Sequence, residues 1–424
     1  MRILIYSYNY APEPIGIAPL ITELAEGLSK RGHRVRVVTG MPNYPERRIY
    51  RDYQRKLWIT ERSQNGVVVQ RNWLWVRPKP NLVDRILLDG SFVLLSLVHA
   101  IKGKRPDVIL LTSPPLPVSV PAAVMGWLHR CPVVLNLQDI LPEAAVHTGL
   151  LKSKKMIRVF EALEKFAYRT AHKISAISDG FVENLIGKGV PEAKIALIPN
   201  WVDVNFIRPL PKENNAFRQA HQLEGKFVVL YSGNIALTQG LETVIDAAVR
   251  LRHIPDIVFA IVGEEKALNR LQQYCQDRGA DNVRLLPFQP REKLPEMLAA
   301  ADVGLIVQKC NVIAFNMPSK TQVLLASARP IIASVPATGT AARAVKQSGG
   351  GVVVEPEDAD ALAYAVKDLY THPEKAQMLG QQGREYAEEQ YSFEQALDRY
   401  EVLFREVISD RSDIRSKIPS AREV

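Results

Sequence analysis

A mainly apolar run from Ile3 to Tyr8 opens the chain and predicts a first strand, followed by a Pro/Gly loop from Pro12 to Gly16. Beyond it Leu20, Ile21, Leu24, Ala25 and Leu28 recur at helical spacing, with Pro19 near the first turn and Gly32 stopping the helix. A second predicted strand, Val35 to Thr39, completes a strand–helix–strand unit. The alternation continues, with strands predicted at Val67 to Arg71, Val108 to Thr112, Val133 to Leu137, Ile174 to Ile177 and Ile195 to Pro199. Several are apolar at every position, the mark of parallel strands covered on both faces. After a polar, proline-containing stretch, the series restarts at Phe227 to Tyr231 and runs through Ile257 to Val262, Val283 to Leu286, Val303 to Val307, Ile331 to Ser334 and Val352 to Val354.

The pattern therefore predicts an α/β protein of two doubly wound, Rossmann-like domains. Their expected bounds are 1–205 and 225–390, joined by a linker at 206–224 and followed by a C-terminal helix at 391–408 and a polar tail at 409–424. Open sheets bind ligands outside the carboxyl ends of their strands, so the two domains are expected to face a shared cleft that holds the site.

A length of 424 residues suits two such cores. Cys131, Cys275 and Cys310 are far apart and show neither metal-ligand nor redox spacing, which fits a reducing, cytoplasmic compartment. The opening apolar run is too short for a signal peptide. The uncharged stretch from Val108 to Leu128 is nominally long enough to span a bilayer, but Pro114, Pro115, Pro117 and Pro121 interrupt it, so strand, loop and buried helix are expected instead. Charge is uneven. Residues 1–205 hold 28 Lys and Arg against 17 Asp and Glu, so an anionic partner is expected on the first half.

Candidate chemistry clusters in loops that follow strands. Gly16 and Ile17 lead into a helix amino end, where free N–H groups and the helix dipole favour a phosphate. In the second domain Gly233, Asn234, Gln239 and Gly240 form a glycine-flanked loop before a helix, suited to a diphosphate. Two more loops carry Gly263 with Glu264, and Lys309 with Pro318, Ser319 and Lys320. A plain turn that needs a small residue, or a solvated lysine, explains each of these equally simply. Asp139, with Glu143 nearby, follows a buried strand and is the candidate catalytic carboxylate; a turn-capping aspartate is the alternative. Arg47, Arg48, Arg51 and Arg55 interleave with Tyr44, Tyr50, Tyr53 and Trp58, as in a membrane or acceptor patch. No nucleic-acid motif accompanies them.

Pro199-Asn200-Trp201-Val202-Asp203, Tyr231-Ser232-Gly233-Asn234-Ile235, Gln239-Gly240-Leu241-Glu242, Val307-Gln308-Lys309 and Pro318-Ser319-Lys320 resemble segments of the family-four retaining glycosyltransferases of the GT-B fold. The last four are similar to the colanic-acid branch of exopolysaccharide enzymes. The resemblance covers nearly the whole chain. It implies transfer of a hexose from a UDP- or GDP-linked sugar, with retention and without a bound metal or other cofactor, to a lipid-linked saccharide or glycan at the inner face of the cytoplasmic membrane. The chain departs from the family at four positions. The usual Arg and Lys on the donor diphosphate fall on Asn234 and Gln239, and the usual pair of glutamates on Phe315 and Val323. A nucleotide-sugar epimerase and a noncatalytic scaffold of a polysaccharide-assembly complex are the alternative readings.

Overall fold

The computed structural model describes residues 1–14, 16–140, 143, 153–236, 238–312 and 317–416. The chain divides into two compact units, Met1–Ile198 together with Leu397–Val424, and Pro199–Ala396.

The first unit holds eight strands: β1 (Arg2–Tyr6), β2 (Arg34–Gly40), β3 (Trp58–Arg62), β4 (Val68–Asn72), β5 (Val108–Ser113), β6 (Val133–Leu137), β7 (Lys173–Ala176) and β8 (Ile195–Leu197). Their order in the sheet is β3-β4-β2-β1-β5-β6-β7-β8. All neighbours are parallel except β3, which runs antiparallel to β4 with Thr60 opposite Gln70. Every residue of β5 and β6 is buried, including Thr112, Ser113 and Asn136, as expected of central parallel strands covered on both faces. The first crossover helix, Ala18–Lys30, carries Pro19 in its first turn and buries Ile21, Leu24, Ala25 and Leu28.

Two elements of this unit lack a clear signature in the hydrophobic pattern. The edge strand β3 is alternately exposed and half-buried, with Glu61 and Arg62 in it, so it reads as polar. The helix Leu82–Ile101 is apolar on nearly all sides, which blurs the helical period. Its start is nonetheless well marked: Asn81 accepts the Asp84 N–H at 2.8 Å while the Asp84 carboxylate accepts the Asn81 N–H at 3.2 Å. The stretch from Val108 to Leu128 forms β5 and, after a short 3₁₀ turn, the helix Ser119–His129. That helix is buried on one face only, through Pro121, Ala122 and Met125, while Trp127 on the other is exposed.

The second unit is an all-parallel sheet of β9 (Phe227–Ser232), β10 (Ile257–Gly263), β11 (Val283–Pro287), β12 (Val303–Val307), β13 (Ile331–Ser334) and β14 (Gly351–Val354), ordered β11-β10-β9-β12-β13-β14. Alternate residues of β9 feed two cores. Val229 and Tyr231 pack with the helices Leu241–Arg250 and Ala359–Thr371 on one face, and Val228 and Leu230 with Lys320–Ala326 and Thr340–Gln347 on the other.

Segment 206–224, expected to link the domains, packs into the second unit instead. Ile207, Phe217 and Leu223 are buried in one of its cores. Arg218 is also buried, with an ion pair to Asp302 at 2.6 Å and hydrogen bonds to the carbonyls of Ala300, Leu223 and Lys226. Polar composition hides these few anchors. The boundary falls between Ile198 and Pro199 rather than at 205. The last helix, Phe393–Ser416, outruns the expected 391–408, and from Leu397 onward it belongs to the first unit. There Tyr400 is fully buried and its hydroxyl accepts a hydrogen bond from Asn136 of β6 at 2.7 Å. Of the expected tail, 409–416 is helical and 417–424 lies outside the described residues.

Candidate functional site

The candidate residues divide between the units. In the second, the loop after β9 needs two glycines with left-handed backbones, Gly233 at φ 141° and Gly240 at φ 62°. Gly240 is the N-cap of the helix Leu241–Arg250 and no side chain caps that end, so its first N–H groups remain available. The loop braces itself. Gln239 Oε1 accepts the Ala236 N–H at 2.8 Å, and the Tyr231 hydroxyl donates to the Asn234 carbonyl at 2.7 Å. Asn234 and Glu264 are exposed, and Gly263 is buried where a Cβ would strike Ile235.

Two lysines pack onto these glycines. The Lys309 stem lies on Gly240, where a Cβ would come within 3.1 Å of its Cγ. Lys320 opens the helix Lys320–Ala326, with Ser319 as N-cap and the Pro318 carbonyl accepting the Thr321 N–H at 3.0 Å. Its Nζ sits 3.7 Å from the Tyr231 ring centroid and would be 3.1 Å from a Cβ on Gly233. This ammonium is buried and has no hydrogen-bond partner among the described residues. Burial pushes its pKa down to about 7. A lone cation over a ring is an unfinished site: the ring quadrupole attracts it, but only an anion restores what water supplied. The next two residues, Thr321 and Gln322, also bury polar atoms without partners. Val323 is half-buried among apolar side chains, and Phe315 lies outside the described residues.

In the first unit a cavity of about 620 Å³ opens at the carboxyl ends of β1, β2, β4 and β5. Its walls are mainly apolar, with Trp75, Leu88, Leu116, Met156 and Phe160 among them. Glu13, buried nearby, ties the surrounding loops together by accepting the Asn9 side-chain N–H at 2.6 Å and the backbone N–H groups of Asn43 at 2.9 Å and Tyr44 at 3.0 Å. Among the described residues the Tyr8 hydroxyl of this lining has no hydrogen-bond partner. The Tyr8 hydroxyl is buried, and its pKa is raised by desolvation and by the charges of Asp89 and Glu13. Burial raises the Asp89 carboxyl to about 6.

Asp139 does not line this cavity. It is half-buried, accepts the Ile140 N–H at 2.9 Å, and has a pKa raised by burial against that hydrogen bond. Glu143 accepts from Asn184 at 2.9 Å and pairs with Lys188 at 3.2 Å. Gly16 has φ 71° and Ile17 is the N-cap of the helix Ala18–Lys30. Of the basic segment, Arg47 reaches the cavity rim, Arg48, Arg51 and Arg55 are exposed, and Trp58 belongs to β3. Asp89 and Tyr8 escaped the sequence reading because their sites assemble from separate loops; the one local signal was a carboxylate inside an apolar helical run.

Known proteins match both units. Residues 16–201 match the Glycosyl transferase 4-like domain and residues 213–386 match Glycosyl transferases group 1. Escherichia coli K12 WcaI, named a colanic acid biosynthesis glycosyl transferase, is 32% identical over 418 residues, 97% of this chain and 99% of its own. The O-antigen chain mannosyltransferase C of Escherichia coli is 21% identical across 97% of this chain and all of its own. Among solved structures, Anabaena HepE in complex with UDP superimposes with a TM-score of 0.67 at 17% identity, covering 99% of this chain and 100% of HepE. The Thermosynechococcus elongatus sucrose-phosphate synthase gives 0.70 at 19% identity, covering 97% and 100%. With two α/β units built on largely parallel sheets and a near full-length relative of this identity, the chain belongs to the glycosyltransferases, pairing a 4-like first domain with a group 1 second domain.

Proposed function

We propose that this glycosyltransferase moves a hexose from a UDP- or GDP-linked sugar, with retention and without a metal, to a lipid-linked saccharide or glycan in cell-surface polysaccharide biosynthesis at the inner face of the cytoplasmic membrane. The observation that carries the donor half is the buried, unpartnered Lys320 ammonium beside Gly233. A diphosphate there supplies the missing counter-charge. Lys309 and the uncapped N-terminus at Gly240 add positive potential in place of the family's Arg and Lys. Gly16, Ile17, Asn234, Gln239, Gly263, Glu264, Pro318 and Ser319 keep their proposed place along the donor.

Negative charge accumulates on the leaving diphosphate as the glycosidic bond breaks, so a preorganised cation stabilises the transition state more than the ground state. On the acceptor side Asp84 and Asp89 both line the cavity; Asp84 already accepts from the Trp75 ring N–H and the Asn81 N–H, so we assign Asp89 the task of orienting the acceptor hydroxyl, with Asp139 as the second candidate. The arginines at 47, 48, 51 and 55 and Trp58 are proposed to face the membrane-borne acceptor.

Thermal stabilisation by UDP, GDP, ADP and NAD tests the donor half, since a ligand of the native state raises the melting temperature. A selective rise with UDP or GDP that is lost in Lys320→Met supports the reading. Stabilisation by NAD alone, or by none of the four, overturns it.

A further inference from the structure

The outer surface of the first unit carries an apolar face whose side chains do not line the cavity described above. On the helix Leu82–Ile101, Val83, Leu87, Gly90, Leu94, Val98 and Ile101 recur every three or four residues and so lie along one line. These side chains meet solvent: Leu94 is 68% exposed, Val83 61% and Val98 48%. Between Ile86 and Ile101 the one Asp, Glu, Lys or Arg is Asp89, which lines the cavity. The neighbouring helix Ser119–His129 repeats the theme with Val120, Val124 and Trp127, the last 79% exposed. From β3, Trp58 donates its ring N–H to the Leu95 carbonyl at 3.2 Å, which sets its half-exposed ring against the same helix. Continuous apolar surface of this kind marks a contact rather than ordinary scatter.

A hollow of about 780 Å³ lies at the carboxyl end of this helix. Arg2, Arg34, Arg36, Arg62, Lys102 and Lys104 line it, and among the described residues no carboxylate does. Arg2 is paired with Asp107 at 2.7 Å. Arg36 spends its donors on neutral oxygens, Gln70 Oε1 at 2.9 Å and the carbonyls of Ala100 at 2.7 Å and Lys104 at 3.3 Å, so its charge is hydrogen-bonded but not neutralised. His99 in the same wall is pushed below its usual pKa by burial and by Lys102 and Arg36. Lys102 joins the two features, with its Nζ 5.3 Å from the Trp58 ring centroid.

We propose that the outer face of the helix Leu82–Ile101, with Trp58 and Trp127, seats the first unit on an anionic phospholipid bilayer, and that the basic hollow at the end of that helix takes phosphate headgroups. A bilayer edge supplies both complements at once: hydrocarbon for the aliphatic line and phosphates for the unneutralised cations. Among the described residues no helix is long and apolar enough to cross a membrane, so the contact lies in the interface. The proposal deepens the membrane-side reading of the acceptor and moves the main contact from the arginine segment to the aliphatic face.

Co-sedimentation of the full chain with phosphatidylcholine vesicles, with and without phosphatidylglycerol, tests it. Binding is expected only to the anionic vesicles. The exposed-site variant Leu94→Glu/Val98→Glu should weaken it at least tenfold, and Arg62→Glu and Lys104→Glu by about fivefold each, with a shallower salt dependence. Stabilisation by UDP or GDP, read on the same variants, reports folding and the donor site separately. Vesicle binding that persists without nucleotide stabilisation leaves this surface standing and counts against the transferase reading. No vesicle binding by the wild-type chain overturns the surface. So does retained binding in Leu94→Glu/Val98→Glu alongside loss in Arg47→Ser/Arg48→Ser/Arg51→Ser. A wild-type dimer that the Glu variant dissociates, with vesicle binding intact, assigns the face to a second copy instead.

Discussion

At the scale of single residues, the second unit's site turns on one proton. Lys320 has a pKa lowered to about 7 in the folded protein against 10.5 unfolded, so the unfolded chain binds the extra proton between these values and stability rises with pH across that window. In the proposed donor role Lys320 acts in its charged form, so donor binding should follow the opposite trend. A nucleotide-sugar diphosphate is esterified at both ends and does not titrate here, so KM for the donor should rise from pH 7 to 9 in the wild type and stay flat in Lys320→Arg. Gly233→Ala should destabilise by about 1–3 kcal/mol and raise donor KM as well, because φ 141° suits glycine and the new Cβ would crowd the ammonium. Asp89 obeys the reverse sign: its raised pKa removes stability as pH climbs from about 4 to 6. Asp89→Asn should therefore raise the melting temperature at pH 7.5 while lowering kcat, and Asp139→Asn should lower kcat less. The opposite order of the two kcat losses would return the acceptor role to Asp139.

At the scale of elements, the segment 206–224 shows how few buried positions anchor a stretch to a core. Arg218 and Asp302 form a buried pair whose carboxylate also accepts the Val228 N–H at 2.8 Å, joining this segment to β9. Asp302→Ala leaves a buried guanidinium without its counter-ion and should cost roughly 3–5 kcal/mol in urea unfolding of the second unit. Apart from the polar edge strand β3, the strands were legible in sequence to within a residue or two because each is a mainly apolar run between breaks. Helix Leu82–Ile101 was not, since a helix with apolar groups on its solvent face offers no polar side to set the period.

At the scale of the whole chain, the first unit is completed by residues almost two hundred positions beyond its main body. Lys173 pairs with Glu406 at 2.8 Å and Arg31 with Asp398 at 2.6 Å, while Tyr400 and Phe404 enter the core. Truncation at Ala396 should thus destabilise the first unit, read as a lost or earlier unfolding transition, rather than trim a dispensable tail. Tyr400→Phe alone removes the acceptor for one buried Asn136 N–H and should cost about 1–3 kcal/mol.

What the sequence determined by itself was local: the order of strands and helices, the glycines that allow left-handed turns, and the positions of Lys309, Lys320 and the basic first half. These depend on residues adjacent in the chain, where periodicity and backbone preference act directly. Tertiary structure decided the rest. It stripped Lys320 of partners against Tyr231, brought Asp89 and Tyr8 into one cavity, held Asp139 by its neighbouring amide, and returned the last helix to the first unit. Burial and long-range pairing arise only when segments far apart in the chain meet, and a carboxylate or an ammonium acquires its chemistry from what surrounds it there.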